Sequence, residues 1–156
     1  MPNYDQSTIE AARLVRMGVR VDRATAALPQ TTAAAIFNVN TGRCLVHLII
    51  GEVTTIIQNQ ANNTKLIANP TTGSDVDLCA VVDVANLEVG GKLVPIGTLA
   101  TALQKANAGA IAGMNLTPFI VAAGTIDLSC AASNTGSVKW SIFYTPLDDG
   151  ANITAA

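Results

Sequence analysis

The chain is predicted to be mainly β: an antiparallel β-sandwich or jelly-roll-like domain with a short N-terminal helix or arm and a small helical or loop insertion. Three observations lead there. Apolar residues recur with period two in several runs, the mark of strands with one buried face. The apolar mass, 49% of the residues, is carried by Ala, Val, Ile and Leu, with aromatic residues at only 4%. Finally, the strand-like runs are not separated by regular helical crossovers, and no repeat of about 20 to 50 residues is evident, which argues against doubly wound and solenoid folds. At 156 residues the chain is long enough to bury one core.

Residues 1–23 read as an N-terminal arm and 24–156 as one β domain. In the arm, Ser7 or Thr8 is placed to cap a short helix through "IEAARLVRMG". At about 100° per residue, Arg13, Arg16 and Arg20 fall on one stripe, with Ala11, Leu14 and Val15 opposite. Gly18 marks a stop, after which "VRVDR" alternates as a strand does. In "AAIFNVN", Ala35, Phe37 and Val39 share a face, and "CLVHLIIGEV" is apolar on both faces, as a central strand is. The run "DVDLCAVVDV" sets Val76, Leu78, Ala80, Val82 and Val84 against Asp75, Asp77, Cys79, Val81 and Asp83. Order weakens in an insertion near 85–118, where "NLEVGGKLVPIG" is loop-like. There "TLATALQKANAGA" suggests a short helix with Leu99, Leu103 and Ala106 on one side. Two final runs, Ile126–Cys130 and Val138–Tyr144, flank the turn formers "AASNTGS" and read as a hairpin with Trp140 on the core side. Pro146 and the "DDG" turn then close the domain.

Composition and motifs exclude more functions than they suggest. A net charge of −2 offers no footprint for nucleic acid or an anionic membrane, so neither is expected as a partner. No apolar stretch is long enough for a helical membrane span, and "MPNYDQSTIE" lacks the order of a secretory signal, so synthesis in a cytoplasm is expected. Cys44, Cys79 and Cys130 are scattered and odd in number, which points to buried reduced thiols rather than to disulfides or zinc. His47 lies three residues from Cys44, but on a strand the two point to opposite faces, so a nucleophile and base pair is not expected. Asp75 and Asp77 form a weak D-x-D that reads as a solvated face, and Asp148 and Asp149 before Gly150 read as turn chemistry. "VGGK" at 89–92 lacks the spacing of a phosphate loop, and "NNT" at 62–64 matches a glycosylation acceptor without any sign of secretion. Strand alternation turns Lys139 and Trp140 apart, which removes the one pairing suited to stacking a base. No catalytic residue, cofactor site or metal site is expected. What stands out is charge placement: Arg13, Arg16, Arg20 and Arg23 are four of the nine basic residues and all lie in the arm, suited to dock on an acidic neighbour.

The stretch "VAAGTIDLSCAASNTGSVKWSIFYTPLDDGA", supported by "GEVTTIIQNQANNTKLIANPTTGSDVDLCAVVDV", resembles sequences of small virion proteins of tailed bacteriophages. The resemblance is one of texture, without a signature motif, and no functional residue carries over from it. It implies a non-enzymatic decoration or cement protein on the capsid exterior, with the major capsid protein and further copies of itself as partners. A homotrimer is the first expectation and a dimer the second. A head-fibre base, a tail component or an adhesive, carbohydrate-binding β module is the alternative. The scarcity of Trp and Tyr argues against the last of these.

Overall fold

The structure is a computed structural model, and it describes residues 6–112 and 117–156. Among the described residues one helix, α1 (Gln6–Met17), precedes twelve strands: β1 (Val19–Ala27), β2 (Ala33–Asn40), β3 (Cys44–Thr55), β4 (Asn63–Pro70), β5 (Val76–Asp77), β6 (Val82–Asp83), β7 (Lys92–Val94), β8 (Gln104–Ala106), β9 (Phe119–Val121), β10 (Gly124–Cys130), β11 (Ser137–Pro146) and β12 (Asn152–Ala155). They form two antiparallel six-stranded sheets. The first has the order β1-β11-β3-β7-β8, with β9 also on β3; the second has the order β12-β2-β10-β4-β5, with β6 also on β4. The expected β-sandwich is the observed architecture.

The core lies between the sheets and is built from alternating positions, as the sequence pattern requires. β11 alternates throughout: Val138, Trp140, Ile142 and Tyr144 are buried and the residues between them are not. From the second sheet Phe37, Leu66, Ile126 and Leu128 meet them. β3 is the central strand expected, but its phase changes midway. Phe143 pairs with Leu48 and Tyr144 with Val46, which leaves His47 as an extra residue in the ladder. Cys44 and Val46 before this bulge, and Ile49, Gly51 and Val53 after it, therefore reach the same core. A similar shift in the pairing of β10 with β2 brings both Ile36 and Phe37 inward. The bulge in β3 is why that run reads as apolar on both faces, and the one in β2 buries Ile36 beside the Phe37 and Val39 that alternation assigns to the core.

Four expectations are corrected. The runs flanking "AASNTGS" are not a hairpin: β10 pairs with β2 and β4 in one sheet, whereas β11 pairs with β1 and β3 in the other. Their connection is an arch over the end of the sandwich, held by buried polar groups. Asn62 accepts from Ala132 N and donates to Ala132 O, and Asn134 donates to the carbonyls of Gln58 and Gln60. "TLATALQKANAGA" holds no helix. Ala80 N donates to Thr101 O and Leu103 N donates to Ala80 O, and β8 then pairs with β7, so the amides of this segment are committed to the sheet. Leu103 is buried as expected, but Leu99 is exposed. "DVDLCAVVDV" is two short strands, β5 and β6, with a bend between that buries the neighbours Leu78 and Cys79 together. Beyond the "DDG" turn the chain does not close but adds β12 to β2. Residues 113–116, part of the expected insertion, lie outside the described residues.

At the N-terminus α1 begins at Gln6, so Ser7 and Thr8 lie within its first turn. It ends at Gly18, whose amide donates to Leu14 O and whose φ is 76°. A Cβ at position 18 would sit 2.1 Å from Tyr144 O, so the left-handed turn and the close contact both demand glycine. From Val19 onward β1 pairs with β11. The part that stands clear of the sheets therefore stops at Gly18, ahead of position 23.

Candidate functional site

The four arginines expected to act together are divided by Gly18. Arg13 and Arg16 lie on α1, a twelve-residue helix with no buried residue. Neither makes an ion pair among the described residues. Arg20 and Arg23 lie on β1 and serve the body instead. Arg20 pairs with Asp22 at 2.8 Å and its guanidinium sits 5.8 Å from the Phe143 ring centroid. Arg23 Nε donates to Ala156 O at 3.3 Å and joins the edge of one sheet to the end of the other. The strand pulls Arg20 off the helical stripe, because its side-chain period is two rather than 3.6. Burial pushes the Asp22 carboxyl up, but hydrogen bonds from Ser141 and Arg20 and the charges of Arg20 and Arg13 outweigh it, so Asp22 titrates below the usual range.

At the same end of the molecule lies an open apolar cleft of about 200 Å³ between the sheets, which the sequence does not announce. Val76, Leu99, Phe119, Ile120 and Val121 line it, with Ala68 and Leu78 at its base. Val76, Leu99 and Ile120 are 47%, 42% and 60% exposed, high values for side chains of this kind. Alternation assigns Val76 to the core and helical spacing assigns Leu99 to a buried side, and neither position is realised because both segments bend. The signal available was an excess of apolar residues in segments too short or irregular to bury them. Asp75 and Asp77 flank Val76 in the chain; Asp77 pairs with Lys65 at 2.6 Å, and Asp75 has no ion pair among the described residues.

The other singled-out groups are structural. His47 Nε2 shares a hydrogen bond with Thr145 Oγ1 at 2.8 Å on the outer face, while Cys44 is buried in the core. All three cysteines are free and buried, and burial pushes each thiol up. Asp83 accepts from the amides of Asn62 and Ala85, which hold its carboxyl low. Asp148 grips Arg43: the Arg43 backbone amide and Nε donate to Oδ2 at 2.7 and 3.0 Å, and Nη2 donates to Oδ1 at 2.7 Å. Those bonds hold Asp148 down at about 2. Asn62 of "NNT" is fully buried, so its amide nitrogen faces Ala132 and not solvent. Among the described residues no three His, Cys, Asp or Glu side chains gather as a metal site requires, and no helix is long and apolar enough to cross a membrane.

The arrangement is therefore one of surfaces: a helix that bears Arg13 and Arg16 and has no buried residue, and an open apolar cleft. Searches against protein-family models, curated proteins and solved structures return no match to this chain.

Proposed function

We propose that the chain is a non-enzymatic virion structural protein, a capsid decoration or cement protein that binds the outer surface of the major capsid shell and stabilises it as a symmetric homo-oligomer. The observation that carries this reading is α1, twelve residues that bury nothing against their own body and present Arg13 and Arg16. A helix of this length is marginal in water by itself, and in this reading a neighbouring subunit covers it. The resemblance of residues 121–151, supported by 51–84, to small virion proteins supplies the setting.

Cementing requires interface area and repetition rather than chemistry. Exposed ion pairs are worth only about 0 to 1 kcal/mol each, but copies joined in a symmetric oligomer engage neighbouring capsid subunits at high effective concentration. A protein that binds only the assembled shell stabilises that state by mass action.

Cryo-electron microscopy of the particle carrying the chain tests the reading. The expected result is density for the sandwich on the shell exterior, at junctions between capsid subunits. Density confined to a tail or fibre, or no density on the particle, overturns it.

A further inference from the structure

We propose that α1 is a processing site: the Arg13–Leu14 and Arg16–Met17 peptide bonds are the substrate of a trypsin-type endopeptidase, which detaches the helix and leaves the sandwich whole.

An endopeptidase takes its substrate as an extended strand, so a bond inside a helix or a β-ladder is cut only after the backbone around it opens. The cost of opening differs sharply between the two parts of this chain. Residues 6–16 are all exposed and Met17 is half-buried, so α1 unwinds without uncovering a core side chain. Twelve residues are at the lower limit of a helix that holds in water. Thr8, Ile9 and Val15 are β-branched, which lowers its propensity, and no acidic residue in the first turn meets its dipole. The unwinding also has a fixed end, because from Val19 onward the backbone pairs with β11.

The basic residues divide in the same way. An enzyme whose specificity pocket carries a carboxylate needs Arg or Lys before the bond it cuts. This chain has nine, and seven lie in the body. Arg20 and Arg23 are in β1, paired with β11. Lys65, Lys92 and Lys139 are in the ladders of β4, β7 and β11. The Arg43 carbonyl accepts from Leu147 N, and Asp148 grips its guanidinium. Lys105 is on β8, an outermost strand, but it pairs with Leu93 and its Nζ donates to Asp83 O. Among the described residues, only Arg13 and Arg16 combine an exposed side chain with a backbone that opens without breaking a sheet.

The reaction consumes only water. Its hydroxyl goes to the carbonyl carbon of Arg13 or Arg16 and its remaining hydrogen to the new amine of Leu14 or Met17. A cut after Arg16 leaves a body that begins at Met17, ahead of β1, with every strand intact. In the function proposed above, that cut takes away the element a neighbouring subunit covers, so proteolysis and shell binding compete for one segment. This consequence rests on that function, whereas the processing site itself does not.

The test is limited digestion of the full-length protein with trypsin under native conditions, followed by intact-mass spectrometry. Bodies beginning at Leu14 and Met17 should accumulate, and cuts elsewhere should be slower by about a thousandfold or more, because they wait for global unfolding. Arg13→Gln with Arg16→Gln should abolish the early cuts; both residues are exposed, so the fold is untouched. Urea below the unfolding midpoint should leave the early rate unchanged, since unwinding α1 exposes little surface. Early cuts after Arg43, Lys105 or any other body residue overturn the proposal. A helix that is cut only in step with the unfolding of the whole protein also overturns it. Shell-bound protein keeps the two proposals distinguishable: with α1 covered, its cleavage should slow about tenfold or more relative to free protein. Equal rates would count against the covering of α1 and leave the processing site standing.

Discussion

Trp140 is the largest side chain in the core, and the strand beside it is shaped to receive it. A Cβ on Gly51 would lie 2.8 to 3.0 Å from three carbons of the indole ring. Trp140→Ala should cost about 3 to 5 kcal/mol in urea unfolding, and Gly51→Ala about 1 to 3 kcal/mol because the ring has nowhere to retreat. The cysteines give a second residue-scale expectation. Buried and held as thiols, Cys44, Cys79 and Cys130 should all resist a thiol reagent at neutral pH and all react once the protein is unfolded. Asp148 gives a third. Its carboxyl titrates at about 2 in the fold, below the unfolded value of about 3.9, so the Arg43 contact contributes stability above the unfolded value. That contribution is lost as pH falls through about 2. Urea midpoints measured against pH should therefore decline in this acid window, and Asp148→Asn should flatten the decline.

At the scale of elements, the arch between β10 and β11 shows how polar side chains decide topology. The loop crosses from one sheet to the other and cannot satisfy its backbone by hairpin pairing. Asn62 supplies both a donor and an acceptor to Ala132 while itself fully buried. Asn62→Ala leaves those two backbone groups unpaired and should cost about 1 to 3 kcal/mol, measured by the same unfolding assay. The N-terminal elements divide as sharply. Deleting residues 1–17 removes α1 and no residue of a strand, and the remainder should keep its β circular dichroism and its unfolding midpoint. Deleting residues 1–23 also removes Val19 to Arg23, which pair with Tyr144 to Trp140, and should lower the midpoint.

For the whole molecule, the proposed function makes one further expectation. Pelleting of shells with protein lacking residues 1–17 and with full-length protein should show weaker retention of the truncated one, increasingly so as salt screens the remaining contacts. Unchanged retention would show that α1 does not hold the protein on shells.

What the sequence by itself determined follows from local periodicity. The β class, the central position of β3, the burial of Trp140 and the three thiols, and the break at Gly18 all depend on residues near each other in the chain, where alternation and backbone freedom act directly. Only the tertiary structure decided which strands share a sheet. The runs 126–130 and 138–144 carry the same alternation whether they pair with each other or face each other across a core, because period two reports a buried face but not its owner. The same limit hid the cleft. Val76 and Leu99 are apolar in patterns that predict burial, but a strand two residues long and a segment tied to Ala80 and β7 leave them at an open edge. Likewise, four arginines close in sequence became two on a free helix and two bound into the body, because β1 pairs with a strand more than a hundred residues away.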